Sequence, residues 1–257
     1  MDDLNRTFET FSGYTRKQIA FLQLHKNFLL RTENLSARDE VLGYLDRVSE
    51  NQDIKILILA GSPEAKGRYE FFIFLKDFYV RGMDITLIYR MHNFIDQLIL
   101  KLVELKKFTI YINSGNVLTP FLNFGLACDY RILANNAVIQ NPGIKWGLSS
   151  KGGGAYFLSR LIGPEQAWNV MLSEKDISAT EAVEMGVVQE IVTFKHLEAT
   201  AFRRAEEYAQ KPMESISVVK QLMYFSNRDL REYLEYENIL LLNMIKNPVL
   251  WEQINQT

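Results

Sequence analysis

Two short stretches hold the residue types that could do chemistry. In "VLTPFLNFGLACD" (residues 117–129) a strand-like run, a tight loop and a helix-like segment follow one another. The first amides of a helix have no intrahelical partner and the helix dipole favours negative charge there, so such a junction can hold a ligand oxygen. Proline has no N–H, and Pro120 stands in that loop. In "LSSKGGG" (residues 148–154) Ser149, Ser150 and Lys151 precede three glycines. A lysine beside a glycine turn is a surface cation when solvated and an acid or base when desolvated. The glycines do not make a phosphate loop, because no G-x-x-x-x-G-K-[ST] is present. His25, His92 and His196 lie far apart in sequence, without metal-ligand spacing or a Ser or Cys partner motif, so no metal is expected and none of the three is given a catalytic role.

The elements that must position these residues are legible in the periodicity. "IAFLQL" (19–24), "IKILILAG" (54–61) and "FTIYIN" (108–113) are β-branched and aromatic at strand length. Between them, Ser36 can cap a helix with Val41, Leu42, Tyr44, Leu45 and Val48 on one face, and a second helix over about 84–106 turns Ile88, Met91, Ile95, Leu98, Ile99 and Leu102 inward. Strands separated by helices predict parallel pairing with right-handed crossovers. Further on, Pro164 follows Gly163 at a predicted helix start, Ser178 and Glu181 form a capping box, and Gly186 can end that helix. Helical segments over 197–210, 214–225 and 229–245 close the chain, the last apolar on much of its circumference and therefore expected to pack on its own core or on another subunit. The run Phe71, Phe72, Phe74, Phe78 and Tyr79 is expected in the core or in a subunit contact.

At 257 residues, 47% hydrophobic and 23% charged, the chain has the composition of a soluble α/β domain. The formal charge of −2, with Lys and Arg scattered, argues against nucleic acid as a partner. The single Cys128 excludes an internal disulfide, "MDDLNRTFETF" has no apolar leader region, and "LILKLVELKKFTIYI" is broken by charge before it could span a bilayer. The expectation is a cytoplasmic protein without a membrane partner.

The run from 107 to 163 resembles the enoyl-CoA hydratase/isomerase (crotonase) superfamily. Its pattern is matched at Lys107, Gly115, Cys128, Asp129, Pro142, Gly147, Gly153, Gly154, Arg160, Leu161 and Gly163. "ENQDIKILILAG" upstream and "ISATEAVEMGVVQEIV" downstream extend the likeness. The resemblance implies an α/β crotonase (ClpP-like) spiral of ββα units, with a core domain over 1–194 and a C-terminal helical trimerisation region over 195–257. It further implies a homotrimer or hexamer, an acyl-CoA thioester as ligand, and no cofactor beyond the coenzyme A of that ligand.

It also implies where the chemistry would sit. In that family two backbone N–H groups stabilise a thioester enolate, and Pro120 aligns with the residue whose amide supplies one of them. The two hydratase glutamates align with Asn123 and Gly143, neither of which handles a proton near neutral pH. Relatives of other activity keep working groups at the positions of Ser150 and Lys151, or use a bound anion as base. Gly67, in "GSPEAKGRYEFFIF", is the candidate for the remaining oxyanion donor, with Lys66 and Arg68 near CoA phosphates. In "HKNFLLRTEN", Lys26, Phe28 and Leu29 align beside the nucleotide. Two readings follow: an acyl-CoA-binding relative without hydratase activity, or an active isomerase, decarboxylase or lyase working through Ser150, Lys151 or a bound anion.

Overall fold

The computed structural model describes residues 2–26, 28–31, 33–82 and 84–255. The chain opens with β1 (Arg6–Thr7), β2 (Phe11–Arg16) and β3 (Ile19–Leu24), then α1 (Leu35–Glu50), β4 (Ile56–Ala60), α2 (Arg68–Val80), α3 (Ile85–Glu104) and β5 (Phe108–Asn113). The middle holds β6 (Asn116–Leu118), α4 (Thr119–Leu126), β7 (Tyr130–Ala134), β8 (Val138–Gln140), α5 (Gly154–Leu161), α6 (Gly163–Met171), β9 (Ile177–Ser178), α7 (Ala179–Glu184) and β10 (Glu190–Val192). The chain ends in α8 (Leu197–Ala209), α9 (Met213–Met223), α10 (Leu230–Ile245) and α11 (Pro248–Asn255).

Among the described residues, seven strands form one sheet in the order β1-β2-β3-β4-β5-β7-β10, and β6, β8 and β9 form a smaller one. From β3 to β10 every pairing in the large sheet is parallel, as helical crossovers require. All five residues of β4 are buried, because the sheet is covered on both faces. Successive side chains alternate. Leu57 and Leu59 enter the main core with α1, α3 and α4, whereas Ile56, Ile58 and Ala60 pack with Leu197, Ala201, Phe202 and Ala205 of α8.

Local details follow the chemistry of the side chains. The first long helix is capped by Asn34, not by Ser36: Asn34 Oδ1 accepts from Ser36 N at 2.9 Å and Ala37 N at 3.4 Å. The carboxamide of the residue just before the helix reaches the free amides, which a serine already within the first turn cannot. The Ser178–Glu181 capping box forms as the sequence predicts. The aromatic run after Gly67 is a helix, α2, with Phe71, Phe74 and Phe78 turned toward the interior. Asp129 accepts from Thr109 N, Thr109 Oγ1 and Lys220 Nζ, each at 2.8 Å, and so ties β5, the end of α4 and α9 together. Cys128 is buried, and burial first of all pushes its thiol up to about 12. No helix among the described residues is long and apolar enough to cross a membrane.

α4 is set against the sheet at a glycine. A Cβ on Gly125 would lie 2.5 Å from Tyr111 Cδ1 and 2.9 Å from Cε1. Tyr111 is fully buried and fixed in turn by Asn113, whose Nδ2 donates to its hydroxyl at 2.6 Å. Gly125→Ala is therefore expected to destabilise the protein by about 1–3 kcal/mol through overpacking, read as a lower urea midpoint with an unchanged m-value. A neutral or stabilising effect, as an ordinary helix glycine would give, would show that α4 is free to shift.

Candidate active site

A cavity of about 70 Å³ lies between α2, α3, the start of α4 and the α10–α11 pair. Phe71, Phe74 and Phe78 come from α2, Ile88, Met91, His92 and Ile95 from α3, Leu241 and Ile245 from α10, and Trp251 from α11. The wall also includes Thr119, Pro120, Asn141, Gly143, Ser149, Ser150 and Lys151. The space is far below the roughly 300–1,000 Å³ of a drug-sized site; it suits a short apolar group with polar atoms on one side.

β6 delivers the chain to α4 with Leu118 in extended conformation as a cap that offers no side-chain oxygen. Pro120 follows within the first turn, where a missing N–H does not weaken the helix but does remove a donor at the cavity wall. One turn later Asn123 is 1% exposed, and its Nδ2 donates to Ser150 Oγ at 3.2 Å and to Lys151 O at 3.0 Å. Both amide hydrogens are thus committed to the 148–154 loop. Gly143, in a 3-10 turn over Pro142–Trp146, brings no side chain to the cavity. A Cβ there would stand 3.0 Å from Leu148 O and 3.4 Å from Phe71 Cζ.

Asn123, Ser150 and Lys151 are therefore brought together, but Lys151 is not a surface cation. Its side chain is 5% exposed, and Nζ donates to Asp96 of α3 and, at 2.8 Å, to Glu237 of α10. The Glu237 carboxylate also accepts from Gly152 N at 3.0 Å and Gly153 N at 2.9 Å. The glycines permit this: φ is +108° at Gly152 and +76° at Gly153, a left-handed path that turns two successive amides toward one anion. Asp96 accepts from Asn238 Nδ2 at 2.7 Å through its other oxygen. Burial raises the Asp96 carboxyl above its usual range, with Lys151 pulling the other way. Neither acidic residue was marked by a motif; the available signal was a carboxylate one position from Ile95 on the apolar stripe of α3.

The expected nucleotide-side residues fare differently. Lys26 borders an open groove of about 500 Å³ with Gln23, His25, Arg31 and Glu64, and pairs with Glu64 at 3.3 Å. Phe28 does not reach that groove. It is 2% exposed and packs on Phe94, Phe121 and Phe124 at ring distances of 5.7–6.2 Å, since an aromatic ring gains more in the core than beside a solvated ligand. The side chain of Leu29 lies outside the described residues. Arg68 pairs with Asp176, and Lys66 Nζ stands 5.8 Å from the Tyr69 ring centroid. Gly67 caps α2 but does not line the cavity. A Cβ there would meet Gln140 Oε1 at 2.1 Å, and the next amide, Arg68 N, already donates to that oxygen at 2.9 Å. Among the described residues no cluster of three or more His, Cys, Asp or Glu could hold a metal.

His92, which no motif singles out, lines the cavity at 2% exposure. Burial first, and the Lys151 cation second, lower its pKa from 6.5 to about 3, with the Asn238 amide acting weakly the other way. The folded pKa lies below the unfolded one, so protons favour the unfolded chain. The stability that neutral His92 permits is complete above pH 6.5 and is lost as pH falls toward 3. Urea unfolding of wild type and His92→Leu between about pH 6 and pH 4 is expected to show wild type losing more stability, by up to about 1.4 kcal/mol per pH unit. Parallel curves would mean that His92 takes up a proton in the fold.

The family model for enoyl-CoA hydratase/isomerase matches residues 15–248. A probable enoyl-CoA hydratase of Mycobacterium tuberculosis (strain CDC 1551 / Oshkosh) is 25% identical over 239 residues, 85% of this chain and 87% of its own length. The short-chain-enoyl-CoA hydratase of Clostridium acetobutylicum is 26% identical over 200 residues, 75% of this chain and 71% of its own. In fold, the crystal structure of an enoyl-CoA hydratase from Bacillus halodurans is similar with a TM-score of 0.81 over 97% of this chain and 100% of that one, at 19% identity. The matched stretch takes in α2, α3, α4, the glycine turn and α10, and on this ground the chain belongs to the enoyl-CoA hydratase/isomerase family.

Proposed function

We propose that this chain binds an acyl-CoA thioester, with the acyl group in the apolar cavity, and does not hydrate a double bond there. The observation that carries the reading is the state of the three positions where the family resemblance puts the hydratase machinery. Pro120 has no N–H, Asn123 has both amide hydrogens committed to Ser150 and Lys151, and Gly143 has no side chain. Electrostatics support it: Asp96 and Glu237 are two carboxyl groups against one Lys151 ammonium behind the cavity wall, a poor setting for charge developing on a thioester oxygen. Lys26 and Arg31, at the open groove, are the cations that CoA phosphates would meet, in competition with their present partners Glu64 at 3.3 Å and Glu9 at 2.7 Å.

The assembly inferred with this function is a homotrimer or a pair of trimers. Leu222, Met223, Phe225, Tyr236, Ile239 and Leu240, around α9 and α10, are 46–74% exposed in one chain, an apolar face of the kind that subunit contacts cover. Sedimentation at micromolar concentration is expected to give a trimer or hexamer, and a stable monomer would remove the inference.

Purified protein is expected to show no measurable crotonyl-CoA hydration while binding butyryl-CoA saturably in calorimetry. Robust turnover that disappears in Asn123→Ala would overturn the reading. Pro120→Gly restores one donor and is expected to tighten butyryl-CoA binding about fivefold, the equivalent of one hydrogen bond near 1 kcal/mol. Adding Asn123→Glu and Gly143→Glu is expected to give only a trace of hydration, because the new side chain at 143 must displace Leu148, whose carbonyl lies 3.0 Å from the required Cβ.

A further inference from the structure

The polar residues behind the cavity form a chain with one open end. Asp96 holds Lys151 with one carboxylate oxygen and accepts from Asn238 Nδ2 with the other. That second contact orients the carboxamide of Asn238, leaving Oδ1 as its acceptor. The buried atoms His92 Nδ1 and Asn238 Oδ1 have no hydrogen bond of normal geometry, and the two side chains are neighbours. Each is the other's available partner, and Oδ1 can only accept, so the proton of the neutral imidazole belongs on Nδ1. Nε2 then carries a lone pair, and His92 lines the cavity.

We infer that His92 selects the acyl chain, presenting Nε2 to the cavity as a hydrogen-bond acceptor for a hydroxyl group carried on that chain. This rests on the acyl-CoA reading above and names the class of acyl group it would take. An oxo group cannot pair with a lone pair, and a carboxylate would in addition meet Asp96 and Glu237. A cationic donor is disfavoured by Lys151 on the same wall. Among the oxygen functions of an acyl chain, a neutral O–H remains. The low affinity of His92 for a proton keeps the acceptor intact at any pH near neutrality. Ile88, Met91 and Ile95 on its own helix are apolar, and of the polar groups on the wall Lys151 Nζ is held by Asp96 and Glu237, Ser150 Oγ accepts from Asn123 and Thr119 Oγ1 donates to Asn141 Oδ1.

The test uses isosteric pairs in which a methyl replaces the hydroxyl: 3-hydroxybutyryl-CoA against 3-methylbutyryl-CoA, and 4-hydroxybutyryl-CoA against pentanoyl-CoA, with acetoacetyl-CoA as the oxo control. Calorimetry on the intact protein is expected to show at least one hydroxyacyl thioester bound about tenfold more tightly than its methyl partner, the discrimination expected of one buried hydrogen bond. The oxo thioester should gain nothing. His92→Leu should abolish or reverse the preference, and His92→Gln, which keeps a side-chain acceptor, should retain part of it, with thermal melts showing both variants folded. Equal or weaker binding of both hydroxyacyl thioesters by wild type, or a preference that survives His92→Leu, would overturn the inference and leave acyl-CoA binding standing. Failure of all five thioesters to bind would defeat the acyl-CoA reading and this one together.

Discussion

The site depends on one carboxylate. Glu237 receives the Lys151 ammonium and two successive glycine amides, and through them it fixes where the C-terminal helices meet the 148–154 loop. Glu237, Leu241 and Ile245 are spaced four residues apart and share a face of α10. The anion therefore sets the register of the same stripe that walls the cavity. α11 follows, with Trp251 against Phe78 and Tyr79 and its indole N–H donated to Ile245 O at 2.8 Å. A buried ionic contact of this kind adds little net stability over an apolar substitute, but losing one partner leaves an uncompensated charge, on the order of 3–5 kcal/mol. It specifies an arrangement more than it strengthens one.

A second constraint acts from the opposite side. α4 is pressed onto Tyr111 by the absence of a side chain at Gly125, and Asn123 is pinned to the loop that Glu237 also holds. Here a Cβ on Gly154 would lie 3.0 Å from Asn123 Oδ1, so the carboxamide is packed as well as bonded. The residue is part of the joint between α4 and α5.

Much of this was legible in the amino-acid sequence. The strands over 19–24 and 108–113 stand where β-branched and aromatic runs of strand length put them, and the inward face of α3 where its 3.6 period does, because burial decides the structure there. The family-pattern residues Lys107, Cys128 and Asp129 turn out to support the fold: Lys107 Nζ donates to Asn51 O at 2.9 Å, and Asp129 braces β5. Pro120 and Gly143, singled out by the resemblance, line the cavity. What could not be read was the cluster around Lys151. Asp96 and Glu237 are 55 and 86 residues away along the chain, and no local periodicity links a charge to its distant partner. The ring of Phe28 lies in the core, which the alignment did not foretell, because an alignment places a backbone and not the direction in which a side chain turns.

The cap of α2 has a consequence of its own. Gln140 Oε1 occupies the amide of Arg68, its Nε2 is held by Asp176 at 3.1 Å, and Asp176 in turn pairs with the Arg68 guanidinium. The three residues close a ring around one donor. A visiting oxygen that needs that N–H must compete with an amide already tethered in place, and a tethered group acts at an effective concentration of millimolar or more. The chain thus carries its own competing ligand at this helix end, and an outside oxygen meets an occupied amide there before it meets a free one.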